Sequence, residues 1–180
     1  MKKTLITILA TVLVCCCVVG GTLAWLTDKT EAVENTFTVG KVDIELAETT
    51  GSEYKMVPGN TIAKDPRVTV LDGSENCWLF IKVSKTQYFD DYIEYTIDDG
   101  WTLLGGFDGI YYREVIESAG GTTVGILKNN VVTVKDNLTE EKMSAITAPP
   151  VMTFKAYAVQ SHSIGTAYDA WMLILEEGGE

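Results

Sequence analysis

Apolar positions are distributed along this chain in two different ways. From Leu5 to Val19 they run without a charged residue, preceded by Met1-Lys2-Lys3 and followed by the small-residue stretch Gly20-Gly21-Thr22-Leu23-Ala24. A short basic start, an apolar run and small residues before a scission point are the parts of a secretory signal peptide. Residues 1–24 are therefore expected to form a signal-peptide helix that is cut after Ala24. Thr22 and Ala24 would fill the peptidase's small pockets, and Trp25 would become the first residue. The competing reading is a retained membrane anchor, since Leu5 to Leu26 nearly supplies the apolar length a span needs, about 20 residues.

Further on, the apolar positions alternate with polar ones, which is the period of a strand. After a polar leader over 25–36, Phe37 and Val39 alternate in one phase and Val42, Ile44 and Leu46 in the other, with a bulge or bend expected at Gly40. Met56-Val57-Pro58-Gly59-Asn60 predicts a turn. Val68 and Val70 begin another strand, closed by Asp72-Gly73-Ser74. Cys77, Leu79, Ile81 and Val83 mark a central strand with one wholly apolar face and one amphipathic face. The Asp-Gly pairs at Asp99-Gly100 and Asp108-Gly109 predict a meander through Ile93–Ile97, Trp101–Leu104 and Ile110–Ile116. Gly120-Gly121-Thr122-Thr123-Val124-Gly125 reads as a flexible hairpin connection. Val131–Lys135 and Met152–Ala158 complete the strands.

Two helices interrupt this pattern. Asn137 or Thr139 is a cap for a start at Glu140-Glu141, and Ala167, Ala170, Trp171 and Ile174 fall at helical spacing over 166–175. Many short strands with close turn signals predict an all-β, two-sheet, jelly-roll-like β-sandwich with one or two short helices over residues 37–176, ending in a frayed tail at 177–180.

Charge and cysteine usage narrow the chemistry. The chain carries a net charge of −11, and removing the leader with Lys2 and Lys3 takes it to −13. Such a surface repels nucleic acid and anionic lipid, so no nucleic-acid partner is expected, and membrane contact only through an uncleaved leader. Cys15, Cys16 and Cys17 leave with the leader, so Cys77 has no partner for an intramolecular disulfide and is expected in the core. No phosphate-loop ending and no nucleophile elbow are present, and no cofactor is implied. Asp90, Asp91, Asp98, Asp99 and Asp108 are candidates for a calcium site at a loop end, against the alternative of solvated turn acids. Trp101, Tyr111 and Tyr112 are the aromatics expected near the surface, either to stack on sugars or as cross-strand pairs.

The junction Gly20–Asp28, the stretch Asn35-Thr36-Phe37-Thr38-Val39-Gly40-Lys41-Val42-Asp43-Ile44, the pair Val57-Pro58-Gly59-Asn60 with Lys64-Asp65, and Phe154–Gln160 followed by Ala170-Trp171 resemble the TasA/camelysin family. These are proteins of Gram-positive bacteria processed by a SipW-type signal peptidase. The resemblance implies a jelly-roll domain working outside the cell as a subunit or accessory of biofilm matrix or surface fibres. It also implies self-association or pairing with related subunits, in which the new N-terminal segment adds as a strand to a neighbour. Residues 25–36, with Trp25, Leu26, Ala32 and Val33, are the candidate donor. The alternative is a monomeric secreted binding module for a glycan or a protein. Camelysins have been classed as metalloproteases, but the chain has one histidine, His162, and no His-Glu-x-x-His, so no catalytic residue is assigned and a non-enzyme is expected.

Overall fold

The alternating stretches become ten strands among the described residues of a computed structural model, which cover 41–51, 53–116 and 119–178. In chain order they are β1 (Ile44–Ala47), β2 (Thr61–Ala63), β3 (Arg67–Val70), β4 (Cys77–Lys85), β5 (Ile93–Glu94), β6 (Thr102–Leu103), β7 (Ile110–Val115), β8 (Thr122–Gly125), β9 (Val131–Val134) and β10 (Met152–Gln160). Three helices accompany them: α1 (Phe89–Tyr92), α2 (Glu140–Ser144) and α3 (Ala167–Glu176). The fold is all-β with short helices, and its strands form three hydrogen-bonded sheets with the orders β1-β3-β8, β10-β4-β7-β6 and β2-β9-β5. The segment before Lys41 lies outside the described residues.

β4 organises the core because both its faces are covered. Cys77, Leu79, Ile81 and Val83 meet Val68 and Val70 of β3 and Val124 of β8, so the main apolar layer lies between two sheets. The other face, read from the sequence as amphipathic, buries Phe80 completely and half-buries Trp78 beneath α3. Here Ala167, Ala170, Trp171 and Ile174 form the predicted helical stripe. Thr166 caps α3 by accepting from the Asp169 N–H at 3.1 Å, and the Trp78 indole donates to the Ile164 carbonyl at 3.1 Å, fixing the entry to the helix. In α2, Thr139 rather than Asn137 is the cap, accepting from the Lys142 N–H. A third apolar cluster of Phe89, Ile93, Leu127 and Val132 packs under the β2-β9-β5 sheet.

Two sequence readings are corrected. The predicted meander is only its second half, since β6 pairs with β7 whereas β5 pairs with β9 in a different sheet. The Asp98–Trp101 turn carries the chain between sheets: Trp101 N–H bonds back to the Asp98 carbonyl at 3.0 Å, and the indole is then buried with its N–H on the Gly125 carbonyl at 2.8 Å. The stretch 120–125 is likewise more than a connection. Gly120 and Gly121 make the turn at positive φ, and Thr122–Gly125 is a strand, with Val124 in the core.

Candidate functional surfaces

β10 is a nine-residue strand at the end of its sheet. It pairs antiparallel with β4 over all nine residues, from Met152 opposite Lys85 to Gln160 opposite Cys77. Among the described residues no strand pairs with its other edge. β1, the terminal strand of the facing sheet, lies beside it, so two sheet edges flank one side of the sandwich. A strand edge is a row of backbone donors and acceptors that another extended segment can satisfy. The candidate donor Trp25, Leu26, Ala32 and Val33 and the cleavage site Thr22–Ala24–Trp25 lie outside the described residues.

The motif Val57-Pro58-Gly59-Asn60 with Lys64-Asp65 forms a clamp. Gly59, at φ 77, donates to the Val134 carbonyl at 3.0 Å, and Val134 N–H bonds to the Asn60 carbonyl at 2.9 Å, which docks the turn on β9. The Asp65 carboxylate accepts from the Thr49 hydroxyl (2.6 Å), the Thr49 N–H (2.8 Å) and the Thr50 N–H (3.0 Å), and it pairs with the Arg67 guanidinium. Lys64 binds both Glu48 oxygens at 2.9 and 3.0 Å and lies over the rings of Tyr54 and Phe154. These contacts fasten the long β1–β2 connection at both ends.

The hydrogen bonds from Thr49 above all hold the Asp65 carboxyl well below the usual carboxylate range. A carboxyl depressed in the folded state contributes stability that is complete above its unfolded value, about 3.9. That contribution is lost as pH falls through the folded value. Asp65→Asn is therefore expected to melt below the parent at neutral pH, with the gap closing as the solution is acidified below about pH 4. Thermal unfolding followed across pH checks this. A gap that stays constant into acid would assign the loss to shape rather than charge.

The calcium candidates divide into three that share a cleft and two that do not. Asp90 lies in α1 and pairs with Lys85 at 2.6 Å, Asp99 pairs with Lys128 at 2.9 Å, and Asp98 accepts from the Gly100 N–H at 3.1 Å. These three line one open cleft of about 700 Å³, together with Tyr95 and Tyr111, whereas Asp91 and Asp108 are exposed and not among its lining residues. Among the described residues, no three His, Cys, Asp or Glu side chains gather where one metal ion would reach them. The residues also do not fit the catalytic metal of a metallopeptidase. His162 is exposed on the turn after β10, and Cys77 faces the core, where burial pushes its thiol up to about 11.

The three aromatics expected near the surface are packing residues. Trp101 is 7% exposed with Arg113 over its ring, Tyr112 packs edge-on to Trp78, and Tyr111 is half-buried in the acidic cleft. The sequence reading missed two exposed aromatics, Tyr168 on α3 and Tyr88, the latter at φ 66 just before α1. Tyrosine is a residue that propensity argues against at that backbone conformation, so no sequence signal marks it.

An all-β sandwich with an open strand edge and no assembled catalytic centre among its described residues is the class of protein this geometry defines. Residues 1–75 match the family model described as Camelysin metallo-endopeptidase, which bears out the resemblance of the chain to the TasA/camelysin family. The match ends just before β4, so within the described fold it covers β1 to β3. Comparison with curated proteins yields no match, and comparison with solved structures yields none. No helix among the described residues is long and apolar enough to cross a membrane.

Proposed function

We propose that the chain is exported, is cut after Ala24 by a SipW-type signal peptidase, and serves outside the cell as a non-enzymatic subunit or accessory of matrix or surface fibres, assembling by strand addition. The observation that carries this reading is the nine-residue outer edge of β10, which no described strand covers. The N-terminal family match, the acidic composition and the free, buried Cys77 support it. The lone exposed histidine supports the non-enzymatic part against the proteolytic activity named in the family's description. In this reading residues 25–36 of one copy extend along the open edge of the next, exchanging solvated backbone groups for a ladder.

Electron microscopy of the secreted protein at rising concentration is expected to show filaments. Deleting residues 25–36 is expected to abolish them while the monomer's melting temperature holds. Undiminished filaments from the deletion variant would remove strand addition by this segment, and a monomer at every concentration would favour the binding-module alternative.

A further inference from the structure

A groove of about 530 Å³ opens between α1 and the segment 145–150. It is lined from one element by Tyr88, Asp91 and Tyr92, with Gln87 beside them, and from the other by Thr147 and Pro149. The two elements are tied together. Thr86 N–H donates to the Val151 carbonyl and Val151 N–H to the Thr86 hydroxyl, both at 3.0 Å.

Tyr88 stands in this groove 63% exposed, in a left-handed conformation that bulky side chains avoid. Local hydrogen bonds hold it there, from Phe89 N–H to the Thr86 carbonyl at 3.1 Å and from Asp91 N–H to the Tyr88 carbonyl at 3.0 Å. Strain kept at an exposed aromatic, where packing gains nothing from it, points to a use for that ring.

Two aromatics that line the acidic cleft are already engaged. Tyr95 has the Lys85 ammonium 5.0 Å from its centre, and Trp101 carries the Arg113 guanidinium. Among the described residues, no ring or cation sits on Tyr88 or Tyr92. Asp91 has no ion pair there either, unlike its neighbour Asp90 with Lys85.

We propose that this groove binds a neutral carbohydrate chain. The open face of Tyr88 stacks on the C–H face of a pyranose, and the Asp91 carboxylate, the Gln87 amide and the Thr147 hydroxyl take its hydroxyl groups. Amphipathic aromatic faces flanked by a few polar side chains suit a ligand that is itself apolar on its faces and polar at its edge. The carboxylate in the groove and the net charge of −11 select against uronic or sulfated sugars. The volume lies in the range that ligand sites occupy.

The test titrates the full-length protein with β-linked glucose and N-acetylglucosamine oligomers, a sulfated oligosaccharide and a proline-rich peptide, following tyrosine ring resonances. Binding is expected for a neutral oligomer, weakened by about tenfold or more in Tyr88→Gly. Glycine accepts the left-handed backbone without strain, so this variant is expected to melt no lower than the parent, separating lost contact from lost fold. Tyr168→Ala, at an exposed tyrosine on α3, is expected to bind as the parent does. The two neutral oligomers decide which sugar the groove takes. The proposal is overturned if the parent binds neither of them, if it prefers the sulfated sugar or the peptide, or if Tyr88→Gly binds undiminished.

Discussion

Trp171→Ala is expected to destabilise the protein by about 3–5 kcal/mol, the cost of emptying a large aromatic site in a packed interior. Trp171 is 2% exposed, and its ring lies 5.2 Å from Phe80, 5.5 Å from Tyr157 and 6.2 Å from Phe107. It therefore joins α3 to β4, to β10 and to the β6–β7 hairpin loop at once. Truncation leaves a cavity lined by rigid rings on a sheet, and such a lining cannot collapse to refill it. Trp171→Phe separates volume from polarity. Among the described residues the indole N–H finds no hydrogen-bond acceptor, and a buried unpaired donor itself costs about 1–3 kcal/mol. Phenylalanine removes that donor and keeps most of the ring, so it is expected to recover most of the loss. Urea unfolding gives both values from the shift in midpoint at constant slope. A midpoint shift for alanine no larger than that for phenylalanine would show that the ring stack is not what holds α3.

Gly109→Ala is expected to cost about 2–4 kcal/mol, from left-handed strain together with overpacking. Gly109 sits at φ 74, and a Cβ built on it would lie 2.5 Å from the Val83 carbonyl oxygen. The obstacle is backbone in the middle of the fold, since Val83 N–H bonds to the Gly109 carbonyl at 2.8 Å where β7 leaves its pairing with β4. Relief therefore requires moving β4 or breaking that hydrogen bond. Gly105→Ala in the same loop is the control: nothing lies within 4 Å of its Cβ and its φ is not positive, so it is expected to be near neutral. Equal midpoints for the two variants in the same urea experiment would refute the steric argument.

Where local periodicity decides an element alone, the sequence reading succeeds. The α3 stripe of Ala167, Ala170, Trp171 and Ile174 is set by helical period, and the β10 alternation from Met152 to Ala158 by strand period, and both elements form within two residues of the expected ends. Failures arose where tertiary contact overruled a local signal. Asp99-Gly100 has the chemistry of a hairpin turn, but burial of Trp101 against Gly125 sends the following strand to another sheet. The second face of β4 reads as amphipathic because Trp78 and Lys82 flank Phe80, and the cover that the distant α3 gives it has no local signal. The surface features were the least legible. Charge alone nominated five aspartates, yet which of them share a cleft and which meet a lysine depends on sheet order. Tyr88 was invisible because its backbone conformation is imposed by its neighbours against its own preference.

The placement of β4 also governs when this chain can fold. Its most apolar strand is flanked on one side by β7 and on the other by β10, whose residues are made long afterwards, with Cys77 waiting for Gln160 and Lys85 for Met152. Cover for Phe80 comes later still, from α3. Distant pairings of this kind carry the entropy of closing a long loop before any contact rewards it. A nascent polypeptide therefore stays open until nearly its whole length has been made, and any truncation ahead of residue 160 leaves a sticky, two-faced ribbon prone to aggregate.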